Sequence, residues 1–154
     1  MCSSDLLMGY LVDAVSSLVA TVSFAILFNI RGRNVLWAGV GGMIGWLTNS
    51  ILVNEGISPI FALVVSSIVF STYSEITARI LRTPVTTLII CALIPLVPGG
   101  GMFYTMLATV EGDTDKATSL ALTTIGNAGA LAAGVIFVST IMRLIPEIRQ
   151  RRSF

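Results

Sequence analysis

Residues 94–107 read IPLVPGGGMFYTML: two prolines and three consecutive glycines inside one of the most apolar stretches of the chain. What such a helix breaker means depends on the solvent around it. The chain has 154 residues, of which 55% are hydrophobic and only 11% charged. Its mean hydropathy is +0.91. A water-soluble domain carries roughly 25% charged residues, so this composition specifies an all-α integral membrane protein.

In hydrocarbon every backbone N–H and C=O must find a partner. Pro95 and Pro98 lack an N–H and crowd the preceding turn. Gly99, Gly100 and Gly101 add backbone freedom and remove side chains. The pattern predicts a fourth transmembrane helix that unwinds by about a turn and resumes near Gly101–Met102. The N–H groups and positive dipole end of the resumed helix would face the break, a suitable place for a carboxylate. The bland alternative is a proline kink that only shapes helix packing.

Outward from this stretch, the sequence divides into five apolar segments, each near the ~20 residues that a bilayer core requires. They cover about 6–28, 35–53, 57–78, 84–110 and 117–144, with short connections and no soluble domain in 1–154. Residues 1–28 do not read as a signal peptide, because the apolar run is long and its positive charges follow it. Arg31 and Arg33 follow segment one, Arg79 and Arg82 follow segment three, and Arg143, Arg149, Arg151 and Arg152 follow segment five. On the other side stand Asp5, Glu55, Glu111, Asp113 and Asp115, with Lys116 as the only base. The positive-inside rule then places the N-terminus outside and the C-terminus in the cytoplasm. An odd number of spans suits half of a transporter built from two inverted units; a self-sufficient homo-oligomer is the other possibility.

The chain has no histidine. That removes Ser-His-Asp and Cys-His catalysis and the usual His metal sites. Cys2 and Cys91 match no metal or disulfide spacing. With no paired intramembrane aspartates either, no enzyme and no cofactor is expected. No basic patch fit for nucleic acid is present.

Further polar residues lie within the apolar segments. Asp13, about a third of the way into segment one, is either a proton-coupling carboxylate or shallow enough to stay hydrated. Glu75, four residues before Arg79, can form an i,i+4 pair, structural or gating. Asn49 and Asn127 can bond across helices. Asn127, near Thr123, Thr124 and Gly126, is the better site candidate. Tyr104 either offers its hydroxyl to the break or fills space. Gly41 and Gly45, and Gly126, Ala130 and Gly134, put small residues at spacing four, a packing signal that leaves the neighbour open: the same chain, a copy or another subunit.

The stretch SEITARILRTPVTTLIICALIPLVPGGGMFYTML (residues 74–107), with FNIRGRN (28–34) and EGD (111–113), resembles the threonine/serine exporter family over essentially the whole chain. The likeness is to its small membrane subunit, or equivalently to the C-terminal half of its single-chain members. The family's PLVPG motif falls on Pro95, Leu96, Val97, Pro98 and Gly99. The resemblance implies export of threonine and serine, or of a dicarboxylate such as succinate, across the bacterial inner membrane. It also implies a larger partner subunit with an extra cytoplasmic domain.

Together these readings give a half-transporter. Pro95, Pro98, Gly99, Gly100, Gly101, Tyr104, Thr123 and Asn127 form the candidate substrate site, and Asp13 and Glu75 are the coupling candidates. A homo-oligomeric channel lined by the broken stretch, and a scaffold subunit, are the alternatives. A reporter fused to the C-terminus is expected to read as cytoplasmic; an external reading would overturn the orientation.

Overall fold

The computed structural model describes residues 3–30, 32 and 34–151, with side chains over 8–30, 32 and 34–144. The readings made on Cys2, Arg31, Arg33 and Arg152 lie outside the described residues, as do the side chains of Asp5, Arg149 and Arg151.

The described chain is all helix and turn. The helices are α1 (Ser3–Leu27), α2 (Asn34–Asn54), α3 (Pro59–Leu81), α4 (Val85–Leu93), α5 (Gly99–Val110) and α6 (Thr114–Arg151), with a single 3-10 turn, Ile94–Leu96, after α4. Four stretches are long and apolar enough to cross a membrane: Met8–Leu27, Asn34–Asn54, Pro59–Leu81 and Thr114–Leu144. Val85–Leu96 and Gly99–Val110, bent by 52° at their junction, make a fifth when counted as one span. Third and fifth helices run further than the sequence indicated: α3 to Leu81 rather than 78, and α6 from Thr114 rather than 117. The polar run Thr77-Ala78-Arg79 is compatible with helix wherever its backbone bonds are made internally.

The helix ends are set by local chemistry. Gly56 (φ +84°) and Gly112 (φ +80°) take the left-handed conformation, which costs glycine nothing. The next N–H then reaches back, Ile57 to the Leu52 carbonyl at 3.1 Å and Asp113 to that of Ala108 at 3.0 Å. Asp113 also caps α6, accepting from the Lys116 N–H at 3.1 Å, as short acidic side chains do before a first turn.

Contacts fix the directions of the helices. Helices α1 and α2 run antiparallel: Asn54 Nδ2 donates to the Tyr10 hydroxyl at 3.1 Å, Ser50 Oγ donates to Asp13 Oδ2 at 3.1 Å, and Gly42 abuts Thr21. Helix α3 is antiparallel to α2, with the Tyr73 hydroxyl donating to the Trp37 carbonyl at 3.2 Å and Gly45 against Phe70. Helix α6 runs parallel to α3, from Gly126 opposite Ile60 through Gly134 against Ser67 to Arg79 Nη2, which donates to the Met142 carbonyl at 2.8 Å. The chain therefore passes back and forth between two ends of one bundle. Arg79 and Arg143 fall at the same end, where Asn29 and Ile30 also meet Thr83 and Pro84.

Helix α3 is the centre. Half of its apolar window is buried within the chain, against 17% for α1. Its Leu63 and Phe70 pack with Ala92, Leu96, Ala130 and Leu131. Small residues make these approaches possible, the usual device where lipid removes the hydrophobic drive between helices. A Cβ at Gly41 would come within 3.2 Å of Tyr73, and one at Gly134 would overlap Ser67. The partners of both spacing-four patterns are thus other helices of the same chain.

Gly134→Leu, which overpacks the α3–α6 contact, is expected to cost about 1–3 kcal/mol and to lower the melting temperature of the solubilised protein. Gly129→Leu, where a Cβ meets nothing within 4 Å, is the control and should melt no lower than the parent, since leucine also favours helix over glycine. Equal melting of the two would contradict this packing.

Candidate functional site

The junction between α4 and α5 is built from its two prolines. Pro95 sits in the 3-10 turn, where the missing N–H removes one α-helical bond. The Val97 N–H reaches back to the carbonyls of Leu93 at 3.2 Å and Ile94 at 3.3 Å. Val97 is then extended (φ −60°, ψ 130°) and Pro98 turns the chain (φ −75°, ψ 57°). The Gly99 N–H closes on the Val97 carbonyl at 2.7 Å, and the Met102 N–H on that of Pro98 at 3.2 Å.

Helix α5 begins at Gly99, not at Gly101–Met102 as expected from the sequence. Glycine permits a break but does not require one, and a first helical turn needs no N–H partners of its own. Only Val97 and Pro98 leave helical geometry. The backbone N–H groups of Gly100 and Gly101 meet no backbone carbonyl among the described bonds. A Cβ at Gly99 or Gly100 would face open space, whereas one at Gly101 would strike Thr124 on α6.

The junction lies halfway along its neighbours. Leu96 reaches to 3.2 Å from a Cβ position at Gly45, near the middle of α2. Two concavities flank it. On the α6 side a cleft of about 310 Å³ is walled by Leu93, Val97, Pro98, Met102, Leu131 and Val135. Every residue that lines it is apolar, so the cleft offers a charged ligand no side-chain partner. On the α1–α2 side a groove of about 240 Å³ is lined by Ser16, Ser17, Ala20, Trp46 and Pro95. The two prolines thus stand on opposite sides of the junction.

The other candidates from the sequence are dispersed. Tyr104 is 58% exposed and packs edge-on against Phe103, with ring centroids 5.4 Å apart. Thr123 is exposed on α6 and donates to the Ser119 carbonyl at 2.9 Å. Its neighbour Thr124 is the one that meets the junction, buried against Gly101. Asn127 is half-buried, one turn before Leu131 of the cleft wall, and its Oδ1 has no hydrogen-bond partner. Asn49 Oδ1 is likewise buried without a partner. Asp13 is half-buried at the α1–α2 contact, accepting from Ser50. Glu75 is buried near the arginine-bearing end, 3.8 Å from Arg79, one helical turn on. It lies five residues beyond Phe70, which packs beside Leu96 of the junction, and Arg79 donates to the Met142 carbonyl of α6.

Sequence reasoning missed Ser16, Ser17 and Trp46. A signal was present for the serines: with Asp13 and Ala20 they fall at i, i+3, i+4 and i+7, one face of a helix. Among the described residues no three His, Cys, Asp or Glu side chains gather as a metal-ion site would need.

The chain's sequence was compared with protein families, curated proteins and solved structures. A family model described as "Threonine/Serine exporter, ThrE" matches residues 13–141, which take in α2–α5 entire and most of α1 and α6. No curated protein and no solved structure matches. A model covering that much of the chain, on a bundle of apolar helices, makes this multi-pass membrane protein a member of the threonine/serine exporter family.

Proposed function

We propose that the chain is the small subunit of a two-part secondary transporter that exports threonine or serine across the bacterial inner membrane, a small dicarboxylate such as succinate being the second substrate class. The carrying observation is the α4–α5 junction, a discontinuity halfway along the bundle with a concavity on each side. Discontinuous helices of this kind, met at the membrane midplane, bind substrate between the two repeats of many transporters.

In this reading the broken segment is one span, the N-terminus is outside and the arginine-bearing end faces the cytoplasm. The unpartnered N–H groups of Gly100 and Gly101 take the substrate carboxylate, and the bare Cα atoms of Gly99 and Gly100 allow it to come close. The apolar cleft cannot hold a zwitterion by itself. A larger subunit laid across it would enclose the junction and complete the polar lining, and rocking of the two units would alternate access.

The homo-oligomeric channel has less support. Its contacts would use the small-residue faces of α2 and α6, and Gly41, Gly45, Gly126 and Gly134 already face helices of the same chain.

Exporter-deficient cells loaded with threonine, or with succinate, are to express this chain alone, the larger subunit alone, or both. Export is expected only with both. Gly100→Leu should abolish it without loss of membrane insertion, since the added side chain meets open space within the chain. Export by this chain alone would contradict the two-part reading, and full export by the Gly100→Leu pair would contradict the role of the junction.

A further inference from the structure

The groove on the α1–α2 side differs from the cleft in its chemistry. On α1, Asp13, Ser16, Ser17 and Ala20 share a face; on α2, Trp46 and Ser50 are one turn apart. Ser16, Ser17, Ala20 and Trp46 line the groove, with Pro95 of the junction opposite. The Asp13–Ser50 pair therefore closes the groove one helical turn, ~5.4 Å, beyond its serines.

The serine hydroxyls along this face have their donors occupied, whereas the Trp46 indole N–H meets no acceptor among the described residues. Ser16 Oγ donates to the Asp13 carbonyl and Ser17 Oγ to that of Ala14, both at 3.1 Å. Ser50 Oγ donates to Asp13 Oδ2. The two serine oxygens keep lone pairs free on the groove wall, and Asp13, one turn beyond that wall, keeps Oδ1 without a hydrogen-bond partner among the described residues. Such a surface matches a group that only donates and carries positive charge. It repels a second carboxylate. The indole of Trp46 in the same wall adds an attraction for a cation. Basic side chains on the described spans are confined to their terminal turns, at Arg79, Lys116 and Arg143, so nothing near the groove would neutralise a dianion.

We infer that the groove between α1, α2 and the Pro95 turn is the ammonium subsite of the transporter, with Asp13 the residue that binds the ammonium of an α-amino acid and so selects it over a dicarboxylate. This rests on the exporter reading above and adds a specificity residue to it. A proton-coupling role for Asp13 is a different claim, because it concerns what protonates the carboxylate rather than what the carboxylate binds.

The test uses the assembled two-subunit protein in proteoliposomes, with labelled threonine as substrate and unlabelled threonine, N-acetylthreonine and succinate as competitors. Threonine alone is expected to compete in the wild type, since N-acetylthreonine lacks the ammonium. Asp13→Asn, which still accepts from Ser50, should raise the half-saturating threonine concentration by about tenfold or more, the scale of one charge-assisted contact. Asp13→Glu should recover part of that loss. Ser16→Leu, at an exposed position that need not disturb folding, should obstruct the groove and serves as a second variant if Asp13→Asn does not assemble. Threonine half-saturation within about twofold of wild type in either variant would overturn the inference, as would a change in proton dependence alone. Equal competition by succinate would overturn it too, while leaving the exporter reading standing. A wild-type complex that moves no threonine would instead sink the exporter reading itself, and this subsite with it.

Discussion

Backbone polar groups in hydrocarbon have to be paired or covered, and the α4–α5 junction is where this chain comes nearest to breaking that rule. Pro95 and Pro98 remove two donors from one turn. The remaining groups are partly rescued by the 3-10 turn and by the Val97, Gly99 and Met102 bonds. Much of the bundle can be understood as cover for that turn. Leu96 is sealed by Gly45 and Phe70, and Gly101 by Thr124. Each seal depends on a glycine where a larger residue would hold the helices apart. What is left uncovered is the N-terminus of α5 and the two concavities beside it.

That distribution of small residues links the packing to the functional reading. Glycines on α2 and on α6 at position 134 serve closure of the bundle, whereas Gly99 and Gly100 close nothing within the chain. At Gly99 and Gly100 the bare backbone leaves the room that the proposed ligand or second subunit would use. The cleft on the α6 side is apolar, and the groove on the α1–α2 side carries the hydroxyls of Ser16 and Ser17. In the proposed reading the carboxylate of a zwitterion goes to the bare N-terminus of α5 and its ammonium to the groove side, and the apolar cleft is left to the second subunit.

Much of the architecture was legible in the sequence because it follows from composition. Apolar runs of bilayer length and the lack of charge give the helical class without reference to any contact. The Glu75–Arg79 pair follows from spacing alone. What was not legible depends on rotation about a helix axis, 100° per residue. Thr123 and Thr124 are indistinguishable as letters, yet one is exposed and the other faces Gly101. Tyr104 looked close to the glycines in sequence and is turned outward. The start of α5 was misjudged because a run of glycines was read as obligatory unwinding, whereas Pro98 alone sets the cap. Ser16, Ser17 and Trp46 escaped notice because each is unremarkable until α1, α2 and the Pro95 turn come together.

The most direct test of the central claim, that the junction is a substrate-accessible break inside the membrane, is thiol labelling in the assembled transporter. Cys2 and Cys91 are the only native cysteines and are first replaced by alanine. Val97→Cys at the junction is then compared with Leu122→Cys on the outer face of α6, 67% exposed in the isolated chain. A membrane-impermeant maleimide should modify the junction cysteine, threonine should slow that reaction, and the α6 cysteine should stay unmodified in lipid. A junction cysteine as inert as the one on α6, and indifferent to threonine, would show that the break is a packing kink and that the substrate passes elsewhere.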